Sequence, residues 1–130
     1  MASWEKQCKV ISTRIERKCV QKGDCLVWQG QAKTAKGRHG QYGKIHIRFK
    51  DSNGQNIVNT TMVVSRAYWL AKNNLHLLPK DIDISHLCHN TLCVAIDHLV
   101  AEHHNTNQER ITCNKAHACT LSHTPRCLFK

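Results

Sequence analysis

Residues 85–99 read SHLCHNTLCVAIDHL, which places three histidines and two cysteines within fifteen positions. Cys88, Cys93 and His98 are evenly set, with four residues between each pair, and that spacing suits three ligands of a compact tetrahedral zinc site. A fourth ligand has to come from elsewhere. Cys25 is the first choice, because it opens a strand expected to pack near this segment, and Cys19 is the alternative. His86 and His89 stand outside the set and are open to other chemistry.

The 130 residues are enough for one domain with a modest core. Nineteen Lys and Arg face nine Asp and Glu, a formal net charge of +10. A surplus of that size points to a polyanionic partner, nucleic acid before membrane. No apolar run approaches the ~18 residues of a membrane span, and the opening MASWEKQCKV lacks the apolar stretch of a signal peptide. The expectation is an intracellular protein with no membrane partner, nuclear if the host is eukaryotic. In that compartment thiols stay reduced, so eight cysteines read as metal ligands rather than disulfides. A secreted basic toxin with four bridges is the competing reading. The clustering of cysteines beside histidines, ten of which are present, argues against it.

Neither a repeat nor a low-complexity linker interrupts the chain. Residues 42–50, YGKIHIRFK, alternate strictly, with Gly43, Ile45, Ile47 and Phe49 on one face and Tyr42, Lys44, His46, Arg48 and Lys50 on the other. This is the pattern of a half-buried strand. DSNG at 51–54 signals a turn, and QNIVNTTMVV after it reads as the returning strand of a hairpin. CLVWQG at 25–30 is a third strand. Residues 63–74 change period, with Val64, Ala67, Tyr68, Ala71 and Leu75 at three- and four-residue spacing, so a helix is expected that ends at the asparagines. A second, mostly polar helix is expected over about 103–112.

The last eighteen residues have no period and no apolar mass, and metal is the remaining source of order. Cys113, Cys119, His123 and Cys127 are separated by five, three and three residues, a closed Cys3His set typical of structural zinc. His117 competes with His123 for the histidine position. Cys8 and Cys19 are read as buried small apolar residues or inert thiols.

SHLCHNTLC, followed by DHL and then by an asparagine nine residues beyond His98, resembles the His-Cys box of a small group of intron-encoded homing endonucleases, within the wider ββα-metal, HNH-like nuclease class. The resemblance runs without a gap from Ser85 to Cys113 and extends through the tail. It implies a small α+β fold: an antiparallel DNA-binding sheet over about 25–62, a ββα-metal catalytic motif over 82–112 and a zinc-ordered tail over 113–130. Residue by residue, it implies His86 as general base and Asn107 as protein ligand of a catalytic Mg2+. It also implies one zinc site of Cys25, Cys88, Cys93 and His98 and a second of Cys113, Cys119, His123 and Cys127. An arginine on the DNA-facing sheet would hold the scissile phosphate, with Arg48 as candidate.

The chemistry is consistent with those roles. Hydrolysing a phosphodiester needs a base to deprotonate water and a cation for the charge developing on the phosphate and the leaving oxygen. A histidine with an ordinary pKa near 6.5 is largely neutral at working pH and can accept that proton. Mg2+ keeps several waters and takes phosphate oxygens, so one amide oxygen from Asn107 can suffice when DNA brings the charge; Asn105 is its rival. His103 and His104 are read as helix-surface or phosphate-contacting residues.

Between Cys25 and Lys50 there are six Lys or Arg and no acid. A basic antiparallel ribbon can enter the major groove, where Arg and Lys read guanine and Gln or Asn reads adenine. Gln29, Gln31, Gln41, Gln55, Asn56 and Asn59 are candidate readers. The expected function is therefore site-specific cleavage of double-stranded DNA, by a homodimer on a near-palindromic site. The rivals are a non-catalytic zinc-dependent DNA-binding protein and a restriction-type HNH nuclease.

Overall fold

A computed structural model describes residues 4–34, 41–50, 55–75, 77–116 and 123–128. The 51–54 turn, His117 and Cys119 lie outside them. Helix α1 (Trp4–Glu16) leads into strands β1 (Cys19–Lys22), β2 (Cys25–Trp28), β3 (Ala32–Thr34), β4 (Gln41–Lys50) and β5 (Ile57–Val63), then helix α2 (Val64–Lys72). Strand β6 (Ile82–His86), a 3-10 turn (Ile96–His98), strand β7 (Leu99–His103) and helix α3 (His104–Ala116) follow. Among the described residues the strands form three antiparallel sheets: β1-β2, β3-β4-β5 and β6-β7. The α+β class expected from the sequence is what the structure has.

The alternation in 42–50 orients the central sheet. Ile45, Ile47 and Phe49 are buried, as is Gly43, while His46 and Arg48 are exposed on the opposite face. Strand β5 pairs with β4 from Lys44↔Val63 to Lys50↔Ile57, the hairpin that the sequence predicts. Helices α1 and α2 cover the apolar face. Cys8, Ile11 and Ile15 of α1 meet Val64, Ala67, Tyr68 and Ala71 of α2 in one cluster with Trp28, Ile45, Ile47 and Phe49. Each large apolar side chain buried this way contributes about 1.5–3 kcal/mol.

Trp28 fixes how closely β2 approaches the central sheet. An added Cβ at Gly43 would lie 2.5 Å from Trp28 Cδ1, and one at Gly30 would lie 2.3 Å from Cζ2, so the indole packs against two positions that tolerate only hydrogen. Its Nε1 donates to the Gln31 carbonyl at 2.9 Å. Helix α2 stops at the asparagines, as expected: Asn73 is the C-cap, and Asn74 takes the left-handed conformation with φ 55, which asparagine adopts more readily than most residues. Helix α3 runs further than the expected 103–112, because buried Arg110 and Cys113 anchor its second half despite a mostly polar sequence. Among the described residues no helix is long and apolar enough to cross a membrane.

Candidate metal centres and active-site cleft

The segment between β6 and β7 is drawn onto β2. Trp28 N donates to Leu92 O at 2.9 Å and Val94 N to Leu26 O at 2.7 Å, and Val27 bridges Cys93 in antiparallel fashion. These bonds carry Cys93 to the start of β2, beside Cys25. Cys88 lies two residues beyond the end of β6, and the chain then turns through His89 in the left-handed conformation, φ 61. His98 is brought in by the 3-10 turn, with its amide donating to Ala95 O at 2.9 Å.

The ligating atoms of Cys25, Cys88, Cys93 and His98 all lie within 4.8 Å of one another. Cys25 Sγ is 3.7 Å from Cys88 Sγ and 3.6 Å from His98 Nδ1, and Cys93 Sγ is 3.5 Å from His98 Nδ1. A tetrahedron with ordinary zinc–sulfur and zinc–nitrogen bonds requires edges of about 3.8 Å between sulfurs and about 3.6 Å between sulfur and nitrogen. The observed separations fit zinc. The hydrogen bond between Cys88 and Cys93 holds the Cys88 thiol below its ordinary range and, with burial, pushes Cys93 up to about 12; a bound cation takes the place of those protons.

Of the two candidates for the fourth ligand, the structure brings in Cys25. Cys19 sits at the far end of the β1-β2 hairpin, opposite Trp28, whereas Cys25 is opposite Lys22. Burial and the nearby Glu16 carboxylate push the Cys19 thiol up to about 11, which suits an inert group. Cys8 is 1% exposed in the core.

Cys113, His123 and Cys127 form a second group within 4.8 Å. His123 Nδ1 is 3.6 Å from Cys113 Sγ, again the zinc edge, and His123 Nε2 is 3.0 Å from Glu109 Oε1. A carboxylate on the far ring nitrogen fixes the tautomer and orients the metal-facing one. Arg110, 1% exposed, grips Glu102 of β7 with two nitrogens and reaches Cys127 Sγ at 3.4 Å. Glu109 and Arg110 were not singled out in the sequence. Their positions three and four residues before Cys113 were the available signal, since a helix brings such residues onto neighbouring turns.

His86 and Asn107 meet in a cleft of about 170 Å³, in which Asp83, Ile84 and Tyr42 also take part. Val63, Ser65 and Arg66, where β5 passes into α2, close its other wall. His86 ends β6, and Asn107 lies in the first turn of α3. Ser85 Oγ donates to Asn107 Oδ1 at 2.9 Å and Asn107 Nδ2 donates to Asp83 Oδ2 at 3.0 Å, which sets the orientation of the amide. Burial, and to a lesser degree the neighbouring His89, push the His86 imidazole down to about 4, so it is neutral at pH 7. Its Nε2 is enclosed and has no hydrogen-bond partner among the described residues. The Tyr42 ring stands edge-on to His86 at 6.4 Å between centroids. Arg48 is on the exposed face of β4 and Asn105 is exposed at the start of α3; neither lines the cleft, whereas Arg66 does. His104 is bonded to Asp83.

The basic face of the central sheet runs into this cleft. Lys33 pairs with Tyr42 and Lys44 with Val63, so each shares a face with a residue that lines it. Further along, His46 Nδ1 is 3.0 Å from Thr61 Oγ1, and its Nε2 engages Asn59 Oδ1. The amide oxygen of Asn59 is thus engaged by His46 on the exposed face of the sheet.

Comparison with curated proteins and with solved structures finds no match. Comparison with protein families finds one that matches residues 24–130, described as the zinc-binding loop region of homing endonuclease. The match begins beside Cys25 and contains both Cys/His clusters. The protein belongs to this zinc-binding homing endonuclease family.

Proposed function

We propose that the protein is a Mg2+-dependent, site-specific endonuclease of double-stranded DNA, acting as a homodimer on a near-palindromic target. The observation that carries the reading is that His86 and Asn107 share one cleft at the end of the basic sheet face. On that sheet Tyr42, Lys44, His46, Arg48 and Lys50 meet the duplex, and a phosphate of the strand crossing the end of the sheet enters the cleft. Arg66 and the first-turn amides of α2, which lack intrahelical partners, receive it. Arg48 then serves the neighbouring backbone.

His86 is the general base. With Nε2 enclosed, Nδ1 is the nitrogen that takes the proton from the attacking water. Asn107 Oδ1 would hold the Mg2+, which supplies charge stabilisation at the phosphate and the leaving oxygen. The two zinc sites are structural, since Cys/His sets of four leave no open position for substrate.

His86→Ala tests this reading. It touches no zinc ligand, so zinc content and DNA affinity persist while single-turnover cleavage falls by roughly 100- to 10,000-fold, the usual loss for a positioned base. Cleavage at the parent's rate refutes the assignment. Tight binding by the parent without cutting in Mg2+ or Mn2+ favours the non-catalytic DNA-binding alternative. Sequencing the ends cut from a randomised library separates homing, one long site, from restriction, a short frequent one.

A further inference from the structure

A magnesium ion is usually bound through one or two carboxylates together with substrate phosphates, and the ligand proposed above, Asn107, is a neutral amide. The cleft does contain a carboxylate. Asp83 of β6 lines it beside Asn107 and His86, in a chain with only nine acidic residues. An acid facing a site for a phosphodiester is repelled by it unless a cation lies between them.

The geometry points to Asp83 as a second protein ligand of the divalent cation, paired with Asn107; this inference rests on the nuclease reading for the identity of the site. Both hydrogen bonds made by the Asp83 carboxylate go to one oxygen: His104 Nδ1 is 2.6 Å from Oδ2, and Asn107 Nδ2 donates to the same atom at 3.0 Å. Oδ1 remains for a metal. The bond from Asn107 Nδ2 also fixes which way round that amide sits, and Ser85 Oγ occupies one lone pair of its oxygen and leaves the other. Asp83 Oδ1 and Asn107 Oδ1, each with acceptor capacity left on the same cleft, would offer a divalent cation two oxygens and one negative charge, and the half-exposed His104 lies against the other carboxylate oxygen.

Mn2+ is the probe, titrated into the full-length, zinc-loaded protein with and without duplex DNA, with the free ion followed by electron paramagnetic resonance. Asp83→Asn, with zinc content as the check on folding, should weaken Mn2+ binding at least tenfold, while His86→Ala leaves it unchanged. In an Asn107→Ala background Asp83→Asn should weaken binding further. Unchanged Mn2+ affinity in Asp83→Asn overturns the inference, and so does the absence of a further loss in the Asn107→Ala background, which would make Asp83 only a support for Asn107. A parent that cleaves DNA while Asp83→Asn binds Mn2+ equally well refutes this inference alone. A parent that binds Mn2+ through Asp83 but never cleaves supports the ligand and refutes the nuclease reading.

Discussion

Glu109→Ala is the most direct probe of how the second metal centre is built. His123 is held on both sides, with Nδ1 3.6 Å from Cys113 Sγ and Nε2 3.0 Å from the Glu109 carboxylate. Removing the partner of a metal-bound imidazole typically weakens metal affinity 10- to 100-fold. The His123 side chain is 6% exposed but that of Glu109 is 48% exposed, so solvent screens the contact and the lower end applies. About tenfold is expected, equivalent to ~1.4 kcal/mol. The assay is zinc release from the full-length protein to a chromophoric chelator, with two ions per chain in the parent. One ion should leave Glu109→Ala at about tenfold lower chelator strength, and Glu109→Gln, which keeps an acceptor oxygen without the charge, should fall between. In a Cys127→Ser background, where only the Cys25 site retains its ligands, Glu109→Ala should change nothing. Equal release of both ions from parent and Glu109→Ala would refute the reasoning, as would a loss from the Cys25 site.

Arg110→Leu should destabilise the fold by about 3–5 kcal/mol, because Glu102, with a side chain 11% exposed, loses its partner; adding Glu102→Leu should recover much of the loss in chemical denaturation. Gly43→Ala should cost about 1–3 kcal/mol, since its Cβ meets Trp28 Cδ1 at 2.5 Å, and an unshifted thermal midpoint would mean that β2 moves freely against the sheet. Lys44→Ala with Arg48→Ala should weaken binding to all duplexes and lower the slope of log affinity against log salt by about one unit per lost phosphate contact. An unchanged slope would place the DNA elsewhere.

The parts of the fold legible in the sequence are those with local periodicity. Strand β4 and helix α2 followed from which face of each was apolar, and the β4-β5 hairpin from the DSNG turn signal in the sequence, though not its register. Helix α1 was not expected, although Cys8, Ile11 and Ile15 have helical spacing and Cys8 reads as a buried apolar residue, because so short an apolar stripe lies in a mostly polar segment. The metal clusters were legible because ligand spacing is a local constraint, and Cys25 was reachable because it opens a strand. The cleft was not. Arg66 lies on α2 and Asp83 on β6, seventeen residues apart, and no period links them. Only the approach of the start of α2 to β6 puts both beside His86, and that depends on packing around Trp28 and the zinc-bearing loop.

Helix α3 joins Asn107, the proposed Mg2+ ligand, to the second metal centre. Asn107 sits in its first turn, Arg110 one turn later and Cys113 a further turn on, so Asn107 and Cys113 are separated by about 9 Å of rigid helix. Arg110 is clamped to Glu102, and Glu102 is the register partner of Asp83 across β6-β7. The axial position of Asn107 is therefore set twice, by the Arg110 clamp near its own end and by Cys113 at the other. A polar helix with little apolar area to bury depends on such polar and metal-centre contacts to hold its place. If the second zinc is lost, the clamp remains but the far end of the helix is released, and Asn107 can tilt away from Ser85 and Asp83. Cleavage should then fall before global unfolding, with Mg2+ half-saturation rising as the ion is withdrawn. Loss of the first zinc acts differently, because it frees the segment that positions His86 and also uncouples β2 from the loop that covers it.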